Sequence, residues 1–343
     1  MASTTHDPWT VVLAAGAGRR LSSVTGSVPK QYWRNGVAPS LLEMTLARFA
    51  PLASPERTVV AVDRSHAPFL QRLSVPGGAA TILYQPQDRG TAAGVLFAIE
   101  PVRRLDPHAI IMLTPADHGV ADEVRFRHGM LDALKHVRSR GSVVLLGVAA
   151  DDNHDDYGWI VKGSRIQSPC PHLHRVEAFV EKPSRPQAAA LLASGALWNT
   201  MVLVARVGDL HRLFVNATPE LLPVFEEAAR LSPGDRSAFL TTAYARLPVF
   251  DFSHHVLGSA ADLLLYEWPT AIGWSDLGTP ERLHRWHARG TPPPGTSRGR
   301  LTAEKFAARE NLSASAGPER GVTTRFRPQK TQSRRLTPAG SLQ

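Results

Sequence analysis

Near its start the chain reads Val11-Val12-Leu13-Ala14-Ala15-Gly16-Ala17-Gly18-Arg19-Arg20-Leu21 and, after a short spacer, Val28-Pro29-Lys30. The apolar run that ends at Ala14 is typical of a buried strand. Gly16 and Gly18 then permit backbone angles and close approaches that a Cβ atom would block. A glycine-rich turn after a strand aims several N–H groups at one point, and Arg20 and Lys30 add positive charge at either end. The segment therefore predicts a polyphosphate-binding loop.

Two common phosphate loops do not fit this segment. A Walker A loop needs a lysine directly after its last glycine, and no lysine follows Gly16 or Gly18 at that spacing. A dinucleotide-binding loop needs a third glycine or alanine where this chain has Leu21. It also needs an acid about 20 residues further on, whereas the first acid after a later strand is the distant Asp63. The loop is therefore of another kind.

A third kind of loop does fit, because L-A-x-G-x-G-x-R-L followed by S-V-P-K matches residues 13–30. In this the chain resembles the sugar-nucleotide pyrophosphorylases, a nucleotidyltransferase family, and in particular mannose-1-phosphate guanylyltransferases. The resemblance implies nucleotide binding by Ala14, Gly16 and Gly18, and catalysis by Arg20 and Lys30. Ala15 stands where the family usually has a second glycine, and Arg19 where serine or threonine is common. Neither change removes a charge that the reaction needs, so both bear on specificity more than on the reaction class.

The charge distribution argues against a nucleic-acid partner. The chain has 343 residues and a formal net charge of +9. Eight of these excess charges lie in residues 289–343, which hold eleven Lys and Arg against three Asp and Glu, so residues 1–288 are nearly neutral. A nearly neutral body gives no broad electrostatic footprint for DNA.

Cysteine content and hydropathy suit a reducing compartment. Cys170 is the only cysteine, so no intrachain disulfide can form. Residues 1–10 have no basic segment followed by a long apolar one, and no run approaches 18 consecutive apolar residues. We therefore expect a cytoplasmic protein with no membrane partner, and we leave a homodimer open.

Strands alternate with helical segments over the first 150 residues. The apolar runs typical of strands are Val11–Ala14, Thr58–Val62, Thr81–Gln85, Ala109–Leu113 and Ser142–Val148. Between the first two runs, Ser40 and Glu43 have the spacing of a capping box that begins a helix. The alternation predicts an α/β fold, a Rossmann-like three-layer, mostly parallel sheet with helices on both faces. The family resemblance implies the nucleotide-diphospho-sugar transferase type of this fold. In such sheets ligands bind beyond the carboxyl ends of the strands.

The segment Gln85–Ala93 directly follows one of these predicted strands. Taken alone, it is typical of a strand-to-helix turn, with Gly90 for flexibility and Thr91 as the cap of the helix. In the resembling family an R-x-T-A segment at this place approaches the base and the phosphates of the nucleotide. The resemblance therefore implies nucleotide binding by Gln85, Arg89, Gly90 and Thr91.

Asp117, within the segment Pro115–His118, follows the predicted strand that ends at Leu113. An acid at the carboxyl end of a strand can hold a divalent cation against a triphosphate. The alternative is an aspartate that only accepts hydrogen bonds in a turn, but the glycine loop in the same sheet favours the metal site. P-A-D-H is also the pyrophosphorylase pattern, and the resemblance implies that Asp117 is catalytic and binds Mg²⁺.

Three later segments match the family patterns Y-G-x-I, F-x-E-K-P and W-N-S/T-G-M-F, the last without its glycine after Thr200. The resemblance implies sugar-phosphate binding by Gly158, Glu181, Lys182 and Asn199. The alternative for the adjacent Glu and Lys is an ordinary exposed ion pair. The acidic run 151–156 predicts a solvated loop, because it lacks the glycine and the distal glutamate of a calcium loop. His254 and His255 follow a loose match and receive no role.

A last motif, Gly273–Pro280, resembles the Gly-Trp-Ser-Asp-Val/Leu-Gly pattern of guanylyltransferases. The resemblance implies that Asp276 is the second Mg²⁺ ligand. As an alternative, Asp276 could cap the following helix, although Thr279 before Pro280 is the better candidate for the cap.

The composition changes abruptly beyond Gly290, where Pro, Ser, Thr, Gly and Arg replace large apolar residues. We therefore expect one catalytic domain, residues 1–288, followed by a basic disordered tail, residues 289–343. Within the domain, residues 1–150 form the nucleotide half and residues 151–288 the sugar-phosphate half.

The resemblance implies that GTP and mannose 1-phosphate give GDP-mannose and pyrophosphate, with Mg²⁺ as cofactor. Another NTP or another hexose 1-phosphate is the alternative within the same fold. A non-catalytic sugar-nucleotide sensor is a second alternative. It is disfavoured because the chain has the acids and cations that the reaction needs, namely Asp117, Asp276, Arg20 and Lys30. A tail that binds nucleic acid or anionic lipid is a third, disfavoured because the tail has few aromatic residues and no amphipathic period.

Overall fold

The computed structural model describes residues 7–71, 73, 80–168, 170 and 172–288. The predicted disordered tail, residues 289–343, lies outside the described residues. The predicted end of the catalytic domain coincides with the last described residue, so that boundary stays a prediction.

Eleven strands and ten α-helices form the described part of the chain. The strands are β1 Trp9–Ala14, β2 Thr58–Asp63, β3 Thr81–Gln85, β4 Ile110–Pro115, β5 Gly119–Val120, β6 Val143–Ala149, β7 Gly158–Arg165, β8 Leu173–Glu181, β9 Leu197–Arg206, β10 Leu263–Trp268 and β11 Trp274–Ser275. The helices are α1 Ser22–Thr25, α2 Leu41–Phe49, α3 Ala67–Leu70, α4 Gly90–Leu105, α5 Glu123–Arg140, α6 Arg185–Ala193, α7 Val207–Ala217, α8 Leu222–Arg230, α9 Pro233–Tyr244 and α10 Pro280–Ala288. Turns of 3₁₀ helix include Arg19–Leu21 and Lys30–Tyr32, and Phe252–Leu257 is a π-helical segment.

Nine strands form one twisted sheet in the order β3-β2-β1-β4-β9-β6-β10-β8-β7. The strands of the first half, β1 to β4, pair in parallel, as predicted from their helical crossovers. β9 runs antiparallel between β4 and β6, and β7 and β8 form an antiparallel pair. The α/β class is confirmed, and the sheet is mixed, because β7, β8 and β9 join it antiparallel while β10 pairs in parallel with β6.

Helices cover both faces of this sheet. Val11 of β1 packs in one core cluster with Leu96 of α4 and Phe214 of α7. The next residue, Val12, points to the opposite face and packs in a cluster with Leu42 of α2. A strand buried on both faces needs apolar side chains at successive positions, which is why β1 reads as a continuous apolar run. Each such fully buried side chain contributes roughly 1.5–3 kcal/mol to folding.

The capping box predicted at the start of α2 is confirmed. The Ser40 hydroxyl accepts from the Glu43 N–H at 3.3 Å, and the Glu43 carboxylate accepts from the Ser40 N–H at 2.8 Å. The box satisfies two of the N–H groups that a helix start leaves unpaired.

A small second sheet explains how two distant motifs meet. β5 and β11 pair antiparallel, with Gly119 opposite Ser275. β5 lies just after Asp117 and β11 just before Asp276, so their pairing brings the two acids to the carboxyl edge of the parallel strands. Among the described helices, none is long and apolar enough to cross a membrane.

Candidate active site

The glycine loop after β1 is fixed by contacts with the V-P-K segment. Gly18 has φ of 63°, and a Cβ atom there would lie 2.9 Å from the Lys30 backbone nitrogen, so only glycine fits without strain. The Gln31 amide donates to the carbonyls of Ala14 at 2.7 Å and Gly16 at 2.9 Å. A Cβ atom on Gly16 would meet nothing within 4 Å, so the loop leaves open space above this residue.

A cavity of about 280 Å³ opens beside this loop. Its walls include predicted nucleotide-binding and metal-binding residues from three motifs: Ala14, Gly16, Gln85, Gly90, Thr91 and Asp117. Gln31, Asp88 and Met201 also line it. Two predicted residues, Gly18 and Arg89, are not part of the cavity wall, and Gly18 instead shapes the loop.

Gln85 and Gly90 hold the start of α4 against the sheet. The buried Gln85 amide donates to the Gln87 carbonyl at 2.9 Å, and a Cβ atom on Gly94 would lie 3.3 Å from its oxygen. Gly90 has φ of 80°, and a Cβ atom there would collide with the Phe250 carbonyl oxygen. The turn therefore brings the backbone of α4 close to the cavity.

Thr91 does not cap α4, and the Arg89 side chain does not line the cavity. The prediction that Thr91 caps α4 is wrong, because the helix begins at Gly90 and the cap position is Arg89. The Thr91 hydroxyl instead donates to Asp251 at 3.1 Å and accepts from the Phe252 N–H at 2.7 Å, which ties α4 to the π-helical segment. The Arg89 guanidinium donates to a carbonyl just after α9, at Ala245, and so lies away from the cavity.

Lys30 joins the two acidic motifs. Its buried ammonium lies 3.0 Å from Asp117 Oδ2 and donates to the main-chain carbonyl of Asp276 at 2.5 Å and to that of Leu277 at 3.3 Å. Three acceptors thus match the three N–H donors of the ammonium. The two aspartates, 159 residues apart in sequence, share this one cation.

Asp117 is ionised under ordinary conditions. Burial would raise the pKa of its carboxyl group, but the adjacent Lys30 charge outweighs this effect, helped by His118, and holds the pKa below its usual range. About a third of the Asp117 side chain remains exposed. The imidazole of His118 is itself buried, which lowers its pKa to about 4 and keeps it neutral near pH 7.

Asp276 is held rigidly through one of its carboxylate oxygens. Its Oδ1 accepts from the Tyr157 hydroxyl at 2.9 Å, from the Gly278 N–H at 2.9 Å and from Arg282 at 3.0 Å. Burial opposes ionisation, yet the Arg282 charge, followed by His118, the Gly278 N–H and Lys30, holds the pKa of Asp276 below its usual range. The aspartate does not cap α10, since Thr279 fills that place, as predicted, and accepts from the N–H of Arg282.

The acidic run before β7 is not wholly a solvated loop. Asp156 turns inward, where its two carboxylate oxygens accept from Arg282 at 2.7 and 2.9 Å. The Arg282 guanidinium also lies over the Tyr157 ring, 4.4 Å from its centroid. Arg20, mostly exposed, lies 3.6 Å from the same Asp156 carboxylate. The prediction is correct for the exposed Asp151 and wrong for Asp156.

Three predicted sugar-binding residues meet on neighbouring strands. Gly158 of β7 lies opposite Glu181 of β8, and a Cβ atom on Gly158 would lie 2.5 Å from a Glu181 carboxylate oxygen. The same hypothetical atom would lie 3.3 Å from Asn199 Cβ on β9. Gly158 thus leaves room beside β7 for the Glu181 carboxylate and the Asn199 side chain.

Glu181 and Lys182 form an ion pair with each other, which was the alternative to sugar-phosphate binding for this dipeptide. The Lys182 ammonium lies 3.4 Å from Glu181 Oε1, and the lysine side chain is largely exposed whereas the glutamate is not. Burial raises the pKa of Glu181, while the Lys182 charge opposes this rise and Asp251 adds to it. The lysine is therefore free to move to another anion at little cost.

The missing glycine of the W-N-S/T-G pattern has a structural counterpart in Met201. Met201 directly follows Thr200, lies in a bulge of β9 and has φ of 57°, a left-handed conformation that costs a residue with a Cβ atom roughly 1–2 kcal/mol. Its N–H donates to the Asn199 side-chain oxygen at 3.0 Å, and the Asn199 amide donates to Ser253 at 3.3 Å. The bulge therefore orients the amide of Asn199.

The donor set fits a hard divalent cation that also binds phosphate. Within the described residues, no three His, Cys, Asp or Glu side chains form a cluster that could hold a metal ion. Magnesium needs only one or two protein carboxylates when substrate phosphates and water supply the rest. Asp117 Oδ1 and Asp276 Oδ2 are the oxygens of this pair that accept no hydrogen bond from the described residues. These two oxygens suit such a cation.

Four site residues lay outside the sequence predictions: Gln31, Asp156, Tyr157 and Arg282. Gln31 directly follows the V-P-K motif, and Tyr157 begins the Y-G-x-I motif, so the motif boundaries pointed to both. Arg282 and Asp156 have no comparable signal, because their pairing depends on contacts across 126 residues.

The fold and this site together define a class of protein, and comparison with known proteins agrees. The chain belongs to the nucleotidyl transferase family, whose sequence profile matches residues 9–291. The resemblance predicted from the glycine loop is thereby confirmed.

The chain is similar to a xanthan biosynthesis protein and to two proteins named as mannose-1-phosphate transferases. It is 28% identical over 278 residues to the xanthan biosynthesis protein XanB of Xanthomonas campestris, a match covering 78% of this chain and 57% of that one. It is 27% identical over 280 residues to the mannose-1-phosphate guanylyltransferase of Escherichia coli, with the same coverage. A crystal structure of mannose-1-phosphate geranyltransferase from Thermus thermophilus superposes with a TM-score of 0.72 at 29% identity, covering 82% of this chain and 80% of that one. The chain spans a little over half the length of the two curated relatives.

Proposed function

We propose that this chain is a sugar-1-phosphate nucleotidyltransferase, which makes an NDP-sugar and pyrophosphate from an NTP and a hexose 1-phosphate. GTP and mannose 1-phosphate, which give GDP-mannose, are the proposed substrates, because several curated relatives are named mannose-1-phosphate guanylyltransferases. The observation that carries the proposal is the position of Lys30, whose ammonium joins Asp117 and Asp276 beside the glycine-loop cavity.

The reaction needs no nucleophile from the protein. An oxygen of the sugar phosphate attacks the α-phosphorus of the NTP in line, the bond to the β-phosphate oxygen breaks, and pyrophosphate leaves. Catalysis then rests on positioning two anionic substrates and on offsetting the charge between them. A Mg²⁺ ion held by Asp117 and Asp276 would supply part of that positive charge.

The nucleotide belongs in the cavity beside the glycine loop. The backbone around Ala14 and Gly16 would face the phosphates, since space is open above Gly16. Gln85 at the end of β3 and Gly90 at the start of α4 line the part of the cavity assigned to the nucleoside. Arg89 is a poorer candidate than its motif suggested, because its guanidinium lies against Ala245.

Arg20 and Lys30 would divide the charge stabilisation. Arg20 is exposed and held by one long ion pair, so it is free to meet the pyrophosphate on which charge develops. Lys30 is buried and fully bonded, so it would act by holding Asp117 and the backbone of Asp276 in place. Its positive charge also lets two carboxylates approach each other before a cation binds.

The sugar phosphate belongs on strands β7, β8 and β9. Glu181 and Asn199 present a carboxylate and an amide beside Gly158, a set that recognises sugar hydroxyls. The exposed ammonium of Lys182 would pair with the phosphate of the sugar substrate.

A substrate panel tests the proposal. Purified protein is incubated with each of GTP, ATP, UTP, CTP and dTTP against mannose, glucose and N-acetylglucosamine 1-phosphates, with Mg²⁺ or with EDTA, and pyrophosphate release is measured. We expect release that requires Mg²⁺ and is greatest for GTP with mannose 1-phosphate. A different preferred pair would keep the reaction class and change the substrates. Nucleotide binding without pyrophosphate release for any pair would support the sensor alternative and overturn the proposal.

A further inference from the structure

Arg282 makes three charged hydrogen bonds in the site, although it lies on α10 and outside every motif. Its guanidinium donates to both carboxylate oxygens of Asp156, at 2.7 and 2.9 Å, and to Asp276 Oδ1 at 3.0 Å. Its side chain is only 10% exposed. Two acids from different parts of the chain therefore share one rigid cation.

The shape of this group matters as much as its charge. A guanidinium presents five donors in a planar fork and can hold two carboxylates at once, whereas an ammonium is a point charge without a fixed fork. The Arg282 plane is further fixed by the Tyr157 ring, 4.4 Å away, and the Tyr157 hydroxyl itself donates to Asp276 at 2.9 Å. Arg282, Tyr157 and Asp156 thus form one braced unit around Asp276.

The bracing leaves one carboxylate oxygen of Asp276 available. Three donors occupy Oδ1, and no hydrogen bond from the described residues reaches Oδ2. A carboxylate whose one oxygen is locked can present the other in a fixed direction. Outer partners that fix a metal ligand in this way typically change metal affinity or activity by 10–100-fold when removed.

We infer that Arg282, anchored by Asp156, is a positioning residue that fixes Asp276 for the divalent cation of the reaction. The inference rests on the proposed function for the identity of that cation. It extends the working site to α10 and to the acidic run before β7, neither of which belongs to a substrate-binding motif.

The charge of Arg282 and its planar shape have opposite effects on cation binding, so substitutions can separate the two contributions. Removing a positive charge near a cation site strengthens cation binding by Coulomb attraction. Removing the fork loosens Asp276 and weakens cation binding. Arg282→Lys keeps the charge and removes the fork, whereas Arg282→Met removes both.

The test measures Mn²⁺ binding to the protein without substrates, by titration calorimetry. The variants are Arg282→Lys and Arg282→Met, with Arg285→Met as the matched control, because Arg285 lies on the same helix and is exposed. We expect Arg282→Lys to weaken Mn²⁺ binding by about tenfold and the control to leave it unchanged. Wild-type affinity in Arg282→Lys would show that the charge alone suffices and would overturn the inference; Arg282→Met then measures how far the loss of charge offsets the loss of the fork.

A second variant tests the anchor without changing Arg282. Asp156→Asn should weaken Mn²⁺ binding severalfold in the wild-type background and by a smaller factor in Arg282→Lys, because the part of its effect that acts through the fork is already lost there. Equal effects in both backgrounds would contradict the anchor. The Asp156→Asn variant also tests the inference if Arg282→Met fails to fold, and thermal unfolding shows whether Arg282→Met is folded.

The outcomes separate this inference from the proposed function. If wild-type protein releases pyrophosphate but Arg282→Lys binds Mn²⁺ normally, the inference fails and the function stands. If wild-type protein binds Mn²⁺ in an Arg282-dependent manner but releases no pyrophosphate, the positioning role stands and the proposed reaction fails.

Discussion

The ammonium of Lys30 lies 3.0 Å from a carboxylate oxygen of Asp117, and the same nitrogen donates to the main-chain carbonyl of Asp276. One buried cation therefore fixes the spacing of the two proposed metal ligands. The lysine follows the glycine loop, Asp117 follows β4 and Asp276 follows β11, so three chain segments depend on this contact.

Arg20→Ala should lower turnover far more than it raises the KM for sugar phosphate. Its proposed partner is the charge that develops on pyrophosphate, and removing one preorganised donor of this kind typically costs about 3 kcal/mol, on the order of a hundredfold in rate. Steady-state kinetics with both substrates varied measures the two parameters. Arg19→Ala is the matched control, since Arg19 is adjacent and exposed. A main effect on sugar-phosphate KM would contradict the role given to Arg20.

Gly16→Ala and Gly18→Ala should separate ligand binding from folding. A Cβ atom on Gly16 meets nothing within 4 Å, so this variant should keep the wild-type free energy of unfolding and lose nucleotide affinity. A Cβ atom on Gly18 would crowd Lys30 at a positive φ, so that variant should lose about 1–2 kcal/mol of stability. Chemical denaturation and nucleotide titration give the two quantities. Normal nucleotide affinity in Gly16→Ala would show that the phosphates lie elsewhere.

Acidification should weaken the fold through Asp117 and Asp276. Both carboxyl groups have a folded-state pKa below their usual value of 3.8, so their ionised forms stabilise the folded protein above that value. The stabilisation is lost as the pH falls through the lower folded-state pKa values, because the unfolded chain then binds more protons. Denaturation curves between pH 6 and pH 2 should show this decline. Asp276→Asn should make the decline shallower, and an unchanged slope would mean that Asp276 does not contribute.

Truncation after Gly290 should leave folding and turnover nearly unchanged. Residues 291–343 carry no family motif and few large apolar side chains. Thermal unfolding and pyrophosphate release of the truncated and full chains provide the comparison. A large loss of activity in the truncated chain would make the tail a functional element.

Much of the site could be predicted because its motifs are local. A glycine loop, a strand-end aspartate and a Y-G pair each occupy a few residues, and parallel strands bring their carboxyl ends to one edge. Ala14, Gln85 and Asp117 accordingly line one cavity. The capping box of α2 was equally predictable, because Ser40 and Glu43 interact within one helical turn.

The remaining features depend on contacts that sequence spacing does not record. In the sequence, Asp156 is part of an acidic run that is typical of a surface loop. Its contact with Arg282 depends on where α10 packs, which the sequence spacing does not show. The antiparallel direction of β9 could not be predicted, because a strand buried on both faces has the same apolar pattern whether it runs parallel or antiparallel to its neighbours. The left-handed backbone of Met201 is signalled only by the family pattern, which has a glycine after Thr200, because the methionine side chain itself gives no sign of it.

The central claim is that Asp117 and Asp276 act through one divalent cation, and a double-mutant cycle on turnover tests it most directly. Mg²⁺-dependent pyrophosphate release is measured for Asp117→Asn, Asp276→Asn and the double variant, with folding checked by thermal unfolding. We predict that each single variant loses most of its turnover and that the double variant is little worse than either, because both side chains serve one ion. Losses that multiply in the double variant, or near-normal Mg²⁺-dependent turnover in Asp276→Asn, would contradict a shared metal site.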